Sequence, residues 1–164
     1  MNHSHLVSTG IGCPSAAIVV EELSNIGAKF LIRVGTCGGL LKEMQPGDIV
    51  IPDSAMCFDG TTKEYNQNIK KIEADKEVLD ALIKSAKNFE IHYFTGVNRT
   101  HDAFYESKEN FVKLIGRGLV SSEMECSAIF LVSKLRNLKA ATILAVNTPE
   151  PPEEVSENPD IIYR

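Results

Sequence analysis

Tryptophan is absent from this 164-residue sequence, and cysteine and histidine are scarce, with four of each. Cys13, Cys37, Cys57 and Cys126 show no C-x-x-C spacing and no accompanying cluster of histidines. This pattern argues against a zinc site and a disulfide framework, and it favours a reducing compartment. Cys37 lies in a glycine-rich turn with no base nearby in the sequence, so we expect a small packed residue there rather than a nucleophile. We therefore expect a cytoplasmic protein without a metal ion.

Long hydrophobic runs are also missing. No window approaches the length of a membrane span, and the N-terminus has no apolar segment of the length that a signal peptide needs. The net charge of −5, with lysine and arginine dispersed along the chain, disfavours nucleic acid as the main partner. Hydrophobic content of 43% and charged content of 24% are typical of a soluble globular protein. We expect one domain spanning residues 1–164, with neither a nucleic-acid nor a membrane partner.

The most informative stretch is residues 30–39, an apolar run that carries Arg33 in its middle and then enters a turn containing Gly35, Gly38 and Gly39. A buried arginine needs an anionic partner, because an unpaired buried charge costs several kcal/mol. Two interpretations follow. Arg33 and the turn N–H groups hold a small oxyanion such as phosphate, or Arg33 forms a structural salt bridge beside an ordinary glycine turn. This stretch alone does not decide between them.

Hydrophobic spacing predicts an α/β fold. A short strand at 6–9, a helix at 16–26 ended by Gly27 and a strand at 29–35 form the strand–helix–strand pattern of a parallel unit. Further strands are expected at 48–52, 91–97 and 140–146, further helices at 76–89, 108–115 and 123–135, and a polar surface loop at 59–75. We expect three α/β/α layers around a central mixed sheet, with the ligand beyond the carboxyl ends of the strands.

Two segments near these strand ends carry candidate functional side chains. Ser122 and Glu125 have the spacing of a capping box, which alone favours a helix cap; the alternative is that Glu125 accepts hydroxyl protons from a ribose. Farther upstream, Phe104 or Tyr105 offers a ring that can stack on a flat base, although aromatics packed in the core are common. His101 is more consistent with a surface histidine, or with one whose hydrogen bonds are satisfied, than with a general base.

Six motifs taken together resemble the nucleoside phosphorylase family, which includes uridine phosphorylase and the hexameric purine nucleoside phosphorylases. They lie, in the family's order, at residues 8–15, 21–23, 32–38, 47–49, 102–105 and 123–125. The resemblance runs from about residue 6 to residue 146. It implies a phosphorylase/hydrolase-like fold, a homo-oligomer (a dimer or a hexameric trimer of dimers) and reversible phosphorolysis of a nucleoside to free base and ribose 1-phosphate. Inorganic phosphate is then the co-substrate, and no cofactor is needed.

The resemblance also implies roles for individual residues. Arg33 and Thr36 match the family's phosphate contacts. Glu125 matches the carboxylate that binds the ribose 2′- and 3′-hydroxyls, where Met124 packs on the sugar and Ile11 lines the pocket.

On the base side, Phe104 matches the aromatic residue beside the base, with Cys37 and Gly38 next to it. Asn147 lies where purine enzymes of the family commonly have an aspartate that protonates the leaving base; its amide can hydrogen-bond the base but cannot act as an acid. Lys108 and Asn110 lie where uridine phosphorylases carry a glutamine and an arginine. The segment at 8–15 and the pair at 59–60 look closest to uridine phosphorylase, which favours uridine over a purine nucleoside.

The chain also departs from the family pattern at both ends. No Gly-Asp-Pro-x-Arg segment precedes residue 6, and no closing helix follows residue 147, so we expect a domain that lacks its N-terminal strand–loop segment and its C-terminal helix, with weak or absent phosphorolysis. A nucleosidase that uses water is one alternative, against which Arg33 argues because a water nucleophile needs no such cation. A non-catalytic family member or fragment is another.

Overall fold

Helices and strands alternate along most of the chain in the computed structural model, which describes residues 4–106, 110, 114 and 117–148. The elements are α1 (Cys13–Asn25), β1 (Phe30–Gly39), β2 (Ile49–Cys57), α2 (Gly60–Tyr65), β3 (Lys71–Glu73), α3 (Lys76–Asn88), β4 (Tyr93–Thr100), β5 (Leu119–Glu123), α4 (Cys126–Leu135) and β6 (Lys139–Thr148). No helix among the described residues is long and apolar enough to cross a membrane.

The six strands form one mixed sheet in the order β3-β2-β4-β5-β1-β6, and a further antiparallel pairing of β2 with β6 closes part of it into a ring. The pairs β1–β6, β2–β4 and β4–β5 are parallel. β1 pairs with β5 only through its last two residues, Gly38 and Gly39. Thr100, the last residue of β4, pairs with Glu123, the last residue of β5. The carboxyl ends of β1, β4 and β5 therefore meet, and the predicted mixed sheet is confirmed.

Helix α4 packs against the sheet, and α1 packs against α4. Residues 126–133 of α4 are all buried, and the buried face of α1 packs in the same core cluster. The helices predicted at 16–26 and 76–89 are present as α1 and α3, and the strands predicted at 29–35, 48–52, 91–97 and 140–146 fall largely within β1, β2, β4 and β6. Gly27 follows α1 with φ of 90°, the left-handed conformation predicted for it.

Two predictions were wrong, and one predicted helix begins later than expected. Residues 6–9 do not pair as a strand, and Leu6 is fully exposed; so few residues ahead of Gly10, whose φ is 68°, form too little cross-strand contact. The supposed loop at 59–75 contains α2 and β3, because the Asp59 carboxylate accepts the Thr62 N–H and starts a helix that polar composition conceals. The helix expected at 123–135 begins only at Cys126. Most of the helix predicted at 108–115 lies outside the described residues.

Candidate functional site

One arginine and two glutamates meet where β1 and β5 approach α4. Arg33 Nη1 lies 3.3 Å from Glu123 Oε2, and Arg33 Nη2 bonds to Glu125 Oε2. At most 11% of any of the three side chains is exposed. We call these three residues the Arg33 cluster. The salt bridge considered for Arg33 is therefore present, while its role as a phosphate ligand stays a prediction.

Glu123, rather than Glu125, caps α4. Glu123 Oε2 accepts the N–H groups of Glu125 at 2.8 Å and of Cys126 at 2.9 Å. The Glu125 side chain makes no capping hydrogen bond, and Ser122 belongs to β5. The capping box predicted from Ser122 and Glu125 is therefore wrong, because the preceding acidic residue satisfies the free N–H groups of the first turn. Glu125 is left to face Arg33.

The second partner of Glu125 is the backbone at the start of α1. Gly12, the residue before that helix, has φ of 90° and donates its N–H to Glu125 Oε1 at 2.6 Å. Glu125 itself immediately precedes α4. Because helix N-termini carry partial positive charge, two helices and one arginine stabilise the same carboxylate. The arrangement fixes the direction in which this carboxylate accepts further hydrogen bonds.

Electrostatics within the cluster favour charged Arg33. Burial opposes its charge, but Cys126, Glu123 and Glu125 outweigh burial and hold its pKa above its ordinary value. Burial and Glu123 raise the pKa of Cys126 well above its usual value, so this thiol is neutral at pH 7 and the carboxylates are the effective partners. Two carboxylates against one guanidinium leave the cluster with an excess of negative charge.

A buried polar network holds Glu123 in place. Glu123 Oε1 accepts Asn98 Nδ2 and Thr100 Oγ1, both at 2.6 Å. Thr100 Oγ1 in turn accepts the Ser127 N–H at 3.1 Å, and Ser127 Oγ donates to Asp59 Oδ2 at 2.6 Å. The sequence singled out Asp59 only as part of the pair at 59–60 and did not indicate this network, because the partners of its members are distant in the chain.

The Arg33 side chain lies against the backbone of Gly35. A Cβ added at Gly35 would come within 2.8 Å of Arg33 Cζ and Nη1. Residues 33 and 35 share one face of β1, so a side chain at 35 occupies the space through which the guanidinium reaches Glu125. This glycine is required for the close approach of the arginine rather than for an unusual backbone angle.

Gly35→Ala should therefore displace Arg33 and destabilise the protein. We expect the free energy of unfolding to fall by about 1–3 kcal/mol, as for overpacking elsewhere in proteins, measured by urea denaturation. At Gly60, the first residue of α2, an added Cβ would meet Asp102 Oδ2 at the ordinary distance of 3.6 Å, so Gly60→Ala is a matched control that should not lower the free energy of unfolding. An unchanged urea midpoint for Gly35→Ala would contradict the assigned contact.

The other residues predicted for phosphate and ribose lie around the Arg33 cluster. Thr36 is exposed and belongs to the opposite face of β1 from Arg33 by strand alternation. Met124 is half-buried, and its carbonyl accepts the Cys13 thiol at 3.1 Å. Ile11 is 79% exposed beside Gly12. The structure thus joins Arg33 directly to Glu125. Met124 immediately precedes Glu125 in the chain, and Ile11 immediately precedes Gly12, which donates to the Glu125 carboxylate.

The residues predicted for the base lie toward the last residues of β1. Cys37 is buried, and burial together with the nearby Glu123 raises its pKa to about 12, which agrees with a packed thiol rather than a nucleophile. Gly38 pairs with Thr148 of β6, which brings the exposed Asn147 beside the glycine turn. Phe104 is 54% exposed, and its ring meets that of Tyr105 edge to face.

A group of metal-capable side chains occurs near α1. Ligand atoms of Cys13, Asp59 and Asp102 lie within 4.8 Å of one another. Burial, with a smaller contribution from Asp59, raises the pKa of the Cys13 thiol, which donates to the Met124 carbonyl. Cysteine binds a metal as the thiolate, so these residues do not form a convincing metal site.

His101 gives the fold a dependence on pH. Burial and the charge of Arg99 lower its pKa below the ordinary 6.5, and Nδ1 is buried without a hydrogen-bond partner among the described residues. The unfolded chain binds a proton at this residue near pH 6.5, whereas the folded chain resists it until the pH is lower. The contribution of neutral His101 to the free energy of unfolding is therefore present above about pH 6.5. It is lost as the pH falls toward the lower pKa of the folded protein.

We expect the free energy of unfolding to decrease between about pH 7.5 and about pH 5.5, and to decrease less in His101→Gln. Urea denaturation at the two pH values measures this difference. Carboxylates titrate in both proteins, so only the difference between wild type and variant is assigned to His101. Equal losses in the two proteins would contradict the assignment.

Comparison with known proteins identifies relatives. A sequence profile of the Phosphorylase superfamily matches residues 3–161. The chain is 36% identical over 143 residues to guanosine phosphorylase of Halorubrum lacusprofundi, covering 87% of this chain and 59% of that protein. It is 33% identical over 155 residues to uridine phosphorylase of Thermococcus kodakarensis, covering 86% and 56%. The chain thus spans less than two thirds of the length of these relatives.

The chain also superposes on solved structures, which identifies its fold. Uridine phosphorylase from Vibrio fischeri ES114 superposes with a TM-score of 0.81 at 35% identity, covering 86% of this chain and 60% of that one. AMP nucleosidase from Bacteroides thetaiotaomicron superposes with a TM-score of 0.79 at 24% identity, which supports the fold alone. The expected α/β fold of the phosphorylase/hydrolase type is confirmed.

Proposed function

Because the chain belongs to the Phosphorylase superfamily, we propose that it binds a nucleoside and inorganic phosphate and catalyses reversible phosphorolysis to free base and ribose 1-phosphate. The observation that carries this proposal is the buried contact of Arg33 with Glu125 where β1 meets α4. A cation suited to an anionic nucleophile and a carboxylate suited to sugar hydroxyls lie side by side. Phosphorolysis needs the cation beneath the anomeric carbon and the carboxylate at the neighbouring sugar hydroxyls.

Glu125 is proposed to hold the ribose. Its carboxylate is oriented by Arg33 and by the Gly12 N–H at 2.6 Å, and it accepts hydrogen bonds from the 2′- and 3′-hydroxyls. As the bond to the base breaks, positive charge develops on the ribose ring. A carboxylate held in a buried site stabilises that charge.

Arg33 is proposed to place phosphate beneath the anomeric carbon, together with backbone N–H groups of the glycine turn and with Thr36, which approaches from the opposite face near the end of β1. Phosphate is the nucleophile, so no covalent enzyme intermediate forms, and positioning supplies much of the rate enhancement. In this structure Glu123 and Glu125 neutralise Arg33. When Glu125 binds ribose hydroxyls, Arg33 becomes available to phosphate, so we expect nucleoside and phosphate to bind cooperatively.

Uridine is the proposed nucleoside, with Phe104 against the base and Cys37, Gly38 and Asn147 beside it. The uridine phosphorylases among the relatives support this choice. Guanosine is the second candidate, since the relative from Halorubrum lacusprofundi is a guanosine phosphorylase. Asn147 offers an amide rather than an acid, which favours a base that leaves without protonation by this residue.

A homo-oligomer in the cytoplasm is part of the same proposal. Phe30, Ile32 and Val34 project from one face of β1 and are 57%, 54% and 76% exposed. Contiguous exposed apolar side chains of this kind mark surfaces that associate. Sedimentation velocity is expected to show a species larger than the 18.0 kDa monomer.

One assay tests the proposed reaction. Uridine, guanosine, inosine, adenosine and methylthioadenosine are each incubated with the protein, with and without phosphate, and base release is measured. We expect release from uridine only when phosphate is present. Equal release without phosphate would indicate a nucleosidase, and no release from any substrate would favour a non-catalytic member of the family.

A further inference from the structure

A second buried arginine lies at the same end of the sheet. Arg99, in β4, donates from Nη1 to Glu106 Oε2 and from Nη2 to Glu106 Oε1, both at 2.7 Å. The two side chains are 9% and 10% exposed. Two parallel hydrogen bonds of this kind fix orientation as well as distance. Neither residue belongs to the Arg33 cluster, and the proposed reaction assigns no role to either.

The ion pair between Arg99 and Glu106 joins the two ends of one short segment. Residues 101–106 follow β4, and we call them the aromatic loop because they carry Phe104 and Tyr105. At its start, the His101 N–H donates to the Glu123 carbonyl at 3.1 Å. Asp102 Oδ2 accepts the Gly60 N–H at 2.8 Å. At its end, Glu106 returns to Arg99, so the loop is tied to the sheet at both ends.

The aromatic rings of this loop lie largely at the surface. Phe104 and Tyr105 are 54% and 78% exposed, and their rings meet edge to face with centroids 5.1 Å apart. The polar ties at the two ends of the loop therefore constrain its course in addition to the contacts of its rings.

Arg99 is itself fixed by neighbouring strands. Its Nη1 lies 3.4 Å from Ser122 Oγ of β5, and its guanidinium lies 5.6 Å from the centre of the Phe58 ring, just after β2. Ser122 pairs in register with Gly38, one of the residues proposed beside the base. Arg99 thus connects the aromatic loop, through Ser122 of β5, to the glycine turn of β1.

We propose that Arg99, through its paired hydrogen bonds to Glu106, is a positioning residue that holds the aromatic loop so that Phe104 stacks on the flat heterocycle of a nucleoside base. This inference rests on the proposed function, since it assumes that a nucleoside binds at this end of the sheet. It adds a determinant of base affinity that touches neither the ribose nor the phosphate.

A tryptophan reporter tests the proposal. The sequence has no tryptophan, so Phe104→Trp gives a single emission that responds to a stacked base. In this background we compare Arg99→Met with Arg136→Met. Arg136 forms the matched control pair, donating to Glu21 at 2.6 and 2.8 Å away from the Arg33 cluster. Uridine and guanosine are titrated by fluorescence, and inorganic phosphate by calorimetry.

Loss of the paired hydrogen bonds should weaken nucleoside binding at least about tenfold in Arg99→Met, while Arg136→Met leaves it unchanged. Phosphate affinity should stay the same in both variants, which a general loss of folding would not allow. Arg99→Lys keeps the charge without the planar fork and should lie between wild type and Arg99→Met; it also serves if Arg99→Met does not fold.

Unchanged nucleoside affinity in the folded Arg99 variants would overturn the positioning role and leave the proposed function standing. If Phe104→Trp shows no response to either nucleoside and calorimetry detects no nucleoside binding by the wild-type chain, the proposed function fails. The role of Arg99 then fails with it.

Discussion

Glu125→Gln should reduce kcat/KM for the nucleoside by about 10²–10³-fold, the range seen when one preorganised electrostatic contact to a transition state is removed. Glutamine keeps an oxygen that accepts the Gly12 N–H, so the local fold should be preserved. What disappears is the negative charge opposite the developing positive charge of the ribose. Steady-state kinetics at saturating phosphate measure this loss.

The same variant should bind inorganic phosphate more tightly in the absence of nucleoside. In the wild type, Glu125 competes with any anion for Arg33, and a neutral amide does not. Calorimetric titration of phosphate should show a stronger affinity for Glu125→Gln than for wild type. Glu21→Gln, which removes a carboxylate from the Arg136 pair, is the matched control and should leave phosphate affinity unchanged. Equal affinity in Glu125→Gln and wild type would contradict the competition.

Arg33→Lys should raise KM for phosphate by about 10–100-fold while changing nucleoside affinity little. Lysine preserves the positive charge between Glu123 and Glu125, but it lacks the planar fork that binds an oxyanion through two hydrogen bonds. Initial rates over a matrix of phosphate and nucleoside concentrations separate the two effects. A variant that keeps wild-type phosphate kinetics would show that Arg33 serves only as the salt bridge.

Removing the charge at this position should affect folding as well. Arg33→Met leaves two nearly buried carboxylates without their cation, and breaking a buried ion pair in this way costs about 3–5 kcal/mol. Urea denaturation should therefore rank wild type above Arg33→Lys and Arg33→Met lowest. This ranking is the reason that the kinetic test uses lysine.

Local signals were enough to predict much of the fold. The glycine after α1 and the regular apolar spacing of α3 depend on neighbouring residues, and both predictions are confirmed. The segment containing α2 depends instead on burial of Asp59 and Thr62 against other elements, which polar composition does not reveal. The closing pairing of β2 with β6 joins residues nearly one hundred positions apart, and no local pattern encodes it.

For the site, sequence reasoning singled out Arg33 and Glu125, which the structure joins directly. It misplaced the helix cap, because Ser122 and Glu125 match a capping pattern while Glu123 makes the capping hydrogen bonds. It also missed Gly12 and Arg99, whose partners lie 113 residues and seven residues away. The residue types in a motif indicate its chemistry. Which of Glu123 and Glu125 caps α4, however, depends on where β5 ends.

The central claim is that the Arg33 cluster transfers a ribosyl group to phosphate. Phosphorus NMR of the wild-type chain incubated with uridine and inorganic phosphate tests it most directly, because the product carries the phosphorus. Because weak phosphorolysis is expected of this chain, the incubation is long and the protein concentration high. We expect a ribose 1-phosphate signal to grow slowly and in proportion to the uracil released. Uracil release with an unchanged phosphate signal, or no conversion of uridine under these conditions, would contradict the account.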